Sequence, residues 1–457
     1  MNKTNTLKSE GRSNLVAIIA MFFLYAMISF VTNLAAPLGT IWKGQYEWAG
    51  MAGNFMNFFA YLIMGIPAGN LLTKIGYKKT SLWAMSIGAL GIAIQYLSSK
   101  VGNATPVFEV SGSPVMLNFV IYLIGAFICG FCVCMLNTVV NPMLNSLGGG
   151  GNKGNQLMQL GGSLNSLSAT LTPLLVGVMI GAVTPHTSMT NVTPLLMIAF
   201  AVFAVAFVII SFVNIPEPAL TKGVKKNKDK HSPWNFRHTV LGVIGIFFYV
   251  GVEVGIPGVL IFYLSDSSIS GITENAAAVA GAVAAVYWLL MLVGRLLSSV
   301  ISGKVSSRSQ LIVVSSLAIL LVLLAIFWPS DSFISMPAYS VEDGFSMANV
   351  PMSALFLVLC GLCTSIMWGG IFNLAVEGLG KYTAKASGIF MMMVVGGGVM
   401  PLIQESIATN IGYLASYWLV IAMFAYILYY ALIGSKNVNT DIPVDEDNLK
   451  NDVENAL

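Results

Sequence analysis

The chain has 457 residues, of which 56% are hydrophobic and only 9% are charged. Soluble proteins carry about 25% charged residues, so this composition excludes a soluble globular protein and indicates a chain embedded in lipid. The formal net charge of +3 gives no indication of a nucleic-acid partner.

Twelve segments are long and apolar enough to cross a membrane, which takes about 20 mostly apolar residues in a helix. Spans 1 to 6 are predicted near residues 15–36, 50–72, 80–98, 115–138, 156–182 and 193–214. Spans 7 to 12 are predicted near residues 239–264, 275–301, 310–328, 351–376, 384–409 and 411–434. The sequence therefore predicts an all-α membrane protein with twelve transmembrane helices in two sets of six.

The basic residues indicate the orientation of the spans, because Lys and Arg favour the cytoplasmic side. Of the 22 basic residues, all except Lys43 and Lys100 fall on the side of the amino terminus. We therefore expect both termini in the cytoplasm and the protein in the plasma membrane, or in the inner membrane of a bacterium. The predicted organisation is a cytoplasmic amino terminus (1–14), a six-helix bundle (15–214), a cytoplasmic linker (215–238), a second bundle (239–434) and an acidic, disordered tail (435–457).

The two halves repeat several features at equivalent positions. Residues 33–37 in span 1 and 253–257 in span 7 each place a polar residue four positions before a proline. The loops after spans 2 and 8 each hold two cations four residues apart, in 74–78 and 304–308. Such repeats are typical of transporters whose two pseudo-symmetric halves rock around a site near the middle of the membrane.

One loop carries a resemblance to a known family. The segment Gly69–Lys79, GNLLTKIGYKK, resembles the loop-2/3 signature of the major facilitator superfamily. It departs from that signature at Thr73, where an aspartate is usual, so we expect a weaker charge latch between this loop and the neighbouring helices. The resemblance implies major-facilitator-type bundles and a gating role for the residues of this motif and its repeat: Gly69, Lys74, Gly76, Lys78, Lys304 and Arg308.

Four further motifs resemble the fucose and glucose/galactose permease branch of that superfamily. They are IPAG at 66–69, LNTVVNP at 136–142, LNS at 164–166 and GGG at 396–398. This resemblance implies a secondary transporter that moves a neutral monosaccharide of the fucose, glucose or galactose class by alternating access. The partners it implies are the sugar, a coupling proton and membrane lipid. It implies no cofactor, metal or nucleic acid, and the chain is expected to be a monomer.

Ionisable residues inside the membrane are expensive, and they usually have a functional role. Glu253 is the one carboxylate near the middle of a span, whereas Arg295 and Glu405 lie close enough to span ends for their side chains to reach the membrane surface. Glu253 is therefore the candidate for proton coupling or for binding a sugar hydroxyl. The alternative is a neutral, hydrogen-bonded acid that braces the helix break at Pro257.

The permease branch associates coupling with two acids, one in span 1 and one in span 4, and this chain has an asparagine at both positions. Asn33 and Asn137 can bind sugar hydroxyls, but an amide does not titrate. The chain is then either an uncoupled sugar facilitator or a proton symporter whose coupling site is Glu253. An efflux pump for another small solute is the less favoured alternative.

The remaining candidates for the cavity were chosen by residue type and depth. The full set of predicted substrate-binding residues is Asn33, Asn54, Asn57, Asn137, Asn141, Gln159, Asn165, Glu253, Trp288, Trp368 and Asn373, with Tyr61 and Tyr287 as weaker candidates. For any one amide, a hydrogen bond between helices is an equally good interpretation. The aromatic residues are also found as anchors at the membrane surface.

Two other classes of function are disfavoured. An enzyme of the membrane interior needs a metal or nucleophile constellation, but the histidines, His186, His231 and His238, all fall in loops. A sensor or channel does not explain the two-fold repeat. The sequence thus favours a transporter.

Overall fold

The computed structural model describes residues 3–34, 52–110, 112–180, 188–217, 231–272, 276–340 and 344–444, with Leu38, Ile41, Trp42, Gln45, Tyr46 and Ala49 between the first two ranges. Several predictions concern residues outside this set. They are those for Pro37, Lys43 and His186, for linker residues 218–230, and for the acidic tail beyond Val444.

The first half consists of long helices that correspond to spans 1 to 6. They are Lys3–Asn33, Ala52–Ser98, Leu117–Leu147, Gly151–Ile180 and Thr193–Phe212. The second of these is two spans, because Gly76 interrupts it with φ of 85° and ψ of 176°. Glycine has no Cβ and adopts this conformation without steric cost, so the chain turns there from span 2 into span 3.

The second half repeats this arrangement, with two of its spans broken. Its helices are Arg237–Ser265 (span 7), Ala276–Ile301 (span 8), Ser307–Phe327 (span 9), Met352–Thr364 and Met367–Val376 (span 10), Thr383–Met392 and Gly396–Ile411 (span 11), and Tyr413–Tyr429 (span 12). Span 10 breaks at residues 365–366, and span 11 at the 3₁₀ turn Met393–Val395. Both breaks lie beside the central cavity described below.

The number of spans agrees with the prediction. Ten helices among the described residues are long and apolar enough to cross a membrane, and Ala52–Ser98 is one of them. Its two halves are separate spans, and the thirty-residue helix Gly151–Ile180 is a further one, which brings the total to twelve. Some helices run beyond the predicted spans: span 4 continues to Leu147, nine residues past its predicted end, because its polar last turns are helical although they are not apolar.

Two β-hairpins add to the helical fold at equivalent places in the two halves. Strands β1 (Pro106–Val110) and β2 (Ser113–Met116) lie between spans 3 and 4 and pair antiparallel. Strands β3 (Phe333–Ser340) and β4 (Gly344–Pro351) lie between spans 9 and 10 and also pair antiparallel. The apolar runs of the sequence do not predict them, because their strands are only four to eight residues long and lie between the spans. We call the membrane face that carries them the hairpin side, and the opposite face, where spans 6 and 7 are connected, the linker side.

The halves meet through two pairs of helices that the repeat relates to each other. Span 5 packs against span 8, and span 2 packs against the first helix of span 11. The second contact is made by glycines: a Cβ added at Gly388 would lie 2.5 Å from the carbonyl oxygen of Gly65 and 2.8 Å from the Cα of Gly69. Small residues let helix backbones approach closely in a membrane, so this contact accommodates no side chain.

Candidate functional site

A cavity of about 180 Å³ lies between the two halves. Spans 1, 2, 4 and 5 form one wall, and spans 7, 8, 10 and 11 form the other. The lining includes Tyr25, Ser29, Thr32, Asn33, Phe58, Tyr61, Asn137, Gln159, Asn165, Ser166, Glu253, Trp288, Arg295, Ser365 and Trp368. Pockets for drug-sized ligands usually measure roughly 300–1,000 Å³, so this cavity suits one smaller solute.

Seven of the eleven predicted substrate-binding residues line this cavity. They are Asn33, Asn137, Gln159, Asn165, Glu253, Trp288 and Trp368, and the weaker candidate Tyr61 lines it as well. The four amides all belong to the first half, whereas the carboxylate and both tryptophans belong to the second half. The structure thus brings together residues from six different spans that the sequence connects only by residue type and depth.

The amides of the first half are held by hydrogen bonds to their surroundings. Asn33 Nδ2 donates to the carbonyl oxygen of Ser29 at 2.8 Å, and Asn137 Nδ2 donates to the Tyr61 hydroxyl at 2.8 Å. Asn165 Nδ2 donates to the carbonyl oxygen of Tyr25 at 3.2 Å. A carboxamide has a second N–H and a carbonyl acceptor besides, so the wall can still bond a polar ligand.

The remaining predicted residues lie outside the central cavity. Asn141 is fully buried, and its Oδ1 accepts hydrogen bonds from the Tyr25 hydroxyl and, at 3.1 Å, from Trp368 Nε1. Asn57 is buried at 7% exposure, and Asn54 lines a separate groove.

The last two candidates outside the cavity make hydrogen bonds elsewhere. Asn373 is bonded on the linker side to Asn145 and Ser307. The weaker candidate Tyr287 is fully buried and shares a hydrogen bond of 2.9 Å with Thr364.

Glu253 forms an ion pair with Arg295 at the wall of the cavity. The distance between Arg295 Nη2 and Glu253 Oε1 is 3.2 Å, and the two side chains are 9% and 17% exposed. Tyr249, one turn before Glu253 in span 7, is fully buried. The pair is thus the charged centre of the cavity, and it is neutral overall when Glu253 is ionised.

Arg295 also connects the two halves of the protein. Its Nη1 donates to the carbonyl oxygen of Gly162 at 2.9 Å and to Ser166 Oγ at 2.8 Å, both in span 5. Its Nε donates to the carbonyl oxygen of Ser365 at the break of span 10. Gly162 lets the guanidinium approach, because a Cβ there would lie 3.3 Å from Arg295 Cδ.

The structure corrects the prediction for Arg295. The sequence suggested a side chain that reaches the membrane surface, but the residue is only 7% exposed and points into the cavity. Span 8 continues to Ile301, six residues beyond Arg295, and span 5 covers the guanidinium. The sequence did carry a signal for this. An arginine nearly two turns inside an apolar helix is costly in a membrane, and such a residue usually has a buried partner.

Further hydrogen bonds connect the halves on the linker side of the cavity. We call this set the linker-side gate. Asn145 Nδ2 in span 4 donates to Asn373 Oδ1 in span 10 at 2.9 Å, and Asn373 is itself held within the second half, where its Nδ2 donates to Ser307 Oγ at 2.9 Å. Asn155 Nδ2 in span 5 donates to Ser302 Oγ after span 8 at 3.2 Å. These are amide and hydroxyl groups, so opening this gate separates no charges.

The loop-2/3 motif is held within its own half. The Glu217 carboxylate, after span 6, accepts hydrogen bonds from the backbone N–H of Tyr77 at 2.8 Å and of Lys78 at 3.1 Å. These are the first N–H groups of span 3, which have no partner within the helix. Lys78 Nζ donates to the carbonyl oxygen of Ser211 at 2.8 Å. Thr73, at the position where the family signature has an aspartate, donates a hydrogen bond to the carbonyl oxygen of Asn70. The carboxylate that contacts this loop is instead that of Glu217.

The counterpart loop in the second half makes the equivalent contact. Arg308 donates to the carbonyl oxygens of Ala431, at 2.9 Å, and of Leu432, in the last turns of span 12. The first turn of span 9 is capped by Ser306, whose hydroxyl accepts from the N–H of Ser309. Lys74 and Lys304, the other cations of the two motifs, are exposed. Lys78 and Arg308 thus occupy equivalent positions in the two halves, and both bind backbone carbonyl oxygens near the end of the sixth helix of their half.

No group of three or more His, Cys, Asp or Glu side chains that could hold a metal ion occurs among the residues described. The five cysteines are buried and free.

Comparison with known proteins places this architecture in a family. The sequence model of the Major Facilitator Superfamily matches residues 16–399. A glucose/galactose transporter of Brucella abortus is 30% identical over 95% of this chain and 97% of its own length. The L-fucose-proton symporter of Escherichia coli is 23% identical over 94% of this chain and 96% of its own length. A crystal structure of the Escherichia coli fucose:proton symporter matches with a TM-score of 0.75 at 20% identity, covering 93% of this chain and 100% of that chain. The chain therefore belongs to the Major Facilitator Superfamily.

Proposed function

We propose that this chain moves a neutral monosaccharide of the glucose, galactose or fucose class by alternating access, as a proton symporter whose coupling residue is Glu253. The relatives named above support the class of substrate. The observation that carries the coupling is the ion pair of Glu253 with Arg295, since Arg295 also bonds span 5 of the other half. A proton at Glu253 would therefore act on a group that joins the halves.

The cavity offers a neutral sugar two kinds of surface. Amides and hydroxyls of the first half, such as Asn33 and Asn137, can donate to sugar hydroxyls and accept from them. The indole rings of Trp288 and Trp368 are apolar surfaces of the second half that suit the C–H face of a sugar ring. The polar wall would fix the orientation of the sugar, and the aromatic wall would remove its apolar face from water.

Coupling follows from the charge of the cavity. Arginine does not lose its proton in proteins, so protonation of Glu253 leaves the guanidinium of Arg295 as a net positive charge in a buried site. An unpaired buried charge is unfavourable, and a sugar hydroxyl next to Arg295 would offset part of this cost. Sugar binding and protonation then favour each other, because linkage between two ligands is reciprocal.

A second candidate function is uncoupled facilitated transport. Asn33 and Asn137 replace both acids associated with coupling in the permease branch and do not titrate. On this alternative, the ion pair is structural and the sugar crosses without a proton.

The test is uptake into proteoliposomes of the purified chain, with labelled D-glucose, D-galactose and L-fucose, and with and without an imposed pH gradient. For a symporter, the wild type accumulates sugar above equilibrium under the gradient. The variant Glu253→Gln loses this accumulation but keeps sugar counterflow within about threefold, because an amide can still bond to Arg295 and to the sugar.

The matched control is Glu377→Gln, which removes an exposed carboxylate at the end of span 10 that lines neither the cavity nor the groove near it, and it should keep accumulation. Accumulation by Glu253→Gln equal to that of the wild type would exclude the coupling role. Equilibration without accumulation by the wild type would establish the facilitator. Absence of transport of all three sugars would overturn the proposed class of substrate.

A further inference from the structure

A separate groove lies on the hairpin side of the central cavity, between span 2 of the first half and spans 7 and 11 of the second. Its lining includes Asn54, Phe55, Val254, Gly258, Gly397 and Glu405. We call it the outer groove. It contains one amide and one carboxylate among apolar walls. The amide belongs to Asn54, a predicted substrate-binding residue near the start of span 2 that does not line the central cavity.

Only a narrow layer of side chains separates the outer groove from the central cavity. Val254 lines both spaces, and it directly follows Glu253. Phe58 lines the cavity, and Phe55, one helical turn earlier, lines the groove. A solute that leaves the groove at Val254 therefore arrives beside the charged pair.

Two glycines shape this layer, one by allowing close packing and the other by leaving free space. A Cβ added at Gly397 would lie 2.6 Å from a methyl group of Val250 and 2.9 Å from the ring of Phe58. At Gly258 a Cβ would meet no atom within 4 Å, so the absence of a side chain there leaves free space in the wall. Phe58 packed against Gly397 therefore closes the layer between the groove and the cavity.

We propose that the outer groove is an access subsite for the sugar, in which Asn54 and Glu405 bond its hydroxyls briefly before it passes Phe58 into the central cavity. This rests on the proposed function. The volume of the groove, about 30 Å³, admits the edge of a sugar ring and not the whole ring. Contact there is transient, and the subsite changes how fast the sugar binds, not how tightly the central cavity holds it.

This role makes a specific kinetic prediction. A subsite that lowers the barrier for entry lowers the barrier for exit equally, because both directions pass through the same step. Removing its polar groups therefore slows association and dissociation by the same factor and leaves the Kd unchanged. Loss of a contact in the central cavity behaves differently, because it speeds dissociation and raises the Kd.

The experiment is stopped-flow binding of the transported sugar to the purified chain, read by tryptophan fluorescence, since Trp288 and Trp368 line the central cavity. For Glu405→Ala and for Asn54→Ala we expect both rate constants to fall at least threefold, with the Kd within twofold of the wild type. The two variants remove different side chains on different spans, so a folding defect in one leaves the other informative.

The matched control is Asn410→Ala, an exposed residue of span 11 that bonds within its own helix to Ser406 and does not line the groove. It should bind like the wild type. Unchanged rate constants in both groove variants, or a Kd that rises as association slows, would overturn the access subsite. Absence of a binding signal from the wild type with D-glucose, D-galactose and L-fucose would contradict the proposed function and not the access subsite. The groove variants are compared only with a wild type that binds sugar.

Discussion

Arg295 should be more important for the stability of the protein than its ion-pair partner. In the variant Arg295→Gln, Glu253 loses the cation beside it, and the carbonyls of Gly162 and Ser365 lose their donors. Removing one partner of a buried ion pair typically costs about 3–5 kcal/mol. The opposite variant, Glu253→Gln, leaves Arg295 with its other acceptors in spans 5 and 10, so we expect a smaller loss of about 1.5–3 kcal/mol, typical of a hydrogen bond to a charged group.

The assay is equilibrium unfolding of the purified variants in mixed micelles with increasing sodium dodecyl sulfate, followed by circular dichroism. The double variant Glu253→Gln with Arg295→Gln should lose less free energy than the two single losses added together, because neither residue leaves an unpaired charge behind. A Glu253→Gln variant that is destabilised as much as Arg295→Gln would refute this reasoning. So would additive losses in the double variant, since they would show that the two side chains do not interact.

Two further predictions concern the linker side. Gly76→Ala should destabilise the protein by at least about 1–2 kcal/mol, because its φ is 85° and the added Cβ would lie 2.5 Å from Glu217 Oε2. The matched control is Gly149→Ala, with φ of 78° and open space around it. It should lose less free energy of unfolding, and equal losses would mean that Glu217 does not contact the loop. Asn373→Ala removes two hydrogen bonds of the linker-side gate, each worth about 0.5–1.5 kcal/mol, and should open the cavity to that side. A cysteine placed at Met158 in the cavity should then react several-fold faster with a membrane-impermeant maleimide added on the linker side, and an unchanged rate would exclude Asn373 from the gate.

The spans were predictable from the sequence because their signal is local. A run of about 20 apolar residues is sufficient to identify a membrane helix, and the spacing of 33–37 and 253–257 identified the repeat without any contact information. The positions of helix ends were less predictable, as in span 4, whose polar last turns carry the gate residue Asn145. The hairpins were missed because their strands are short and lie outside the apolar runs.

Which amides face the cavity was predictable only in part, because neighbouring helices decide it. Asn137 and Asn141 lie four residues apart on one face of span 4, and both were predicted to bind substrate. The structure leaves Asn137 at the cavity wall, but Tyr25 and Trp368 reach Asn141 from two other spans and occupy its carbonyl oxygen. The same reason explains Arg295, whose acceptors in span 5 are more than 100 residues away in sequence.

The contacts of Lys78 and Arg308 have a mechanical consequence. Each connects the start of the third helix of its half to the end of the sixth helix by a hydrogen bond. Within each half, the third and sixth helices are therefore held together at this end. Such a bond resists sliding of these helices against each other, so each half should move as a unit. Movement during a transport cycle would then occur mainly at the interface between the two halves. At that interface the glycine backbones of spans 2 and 11 touch, and no side chains interlock there to oppose a rotation.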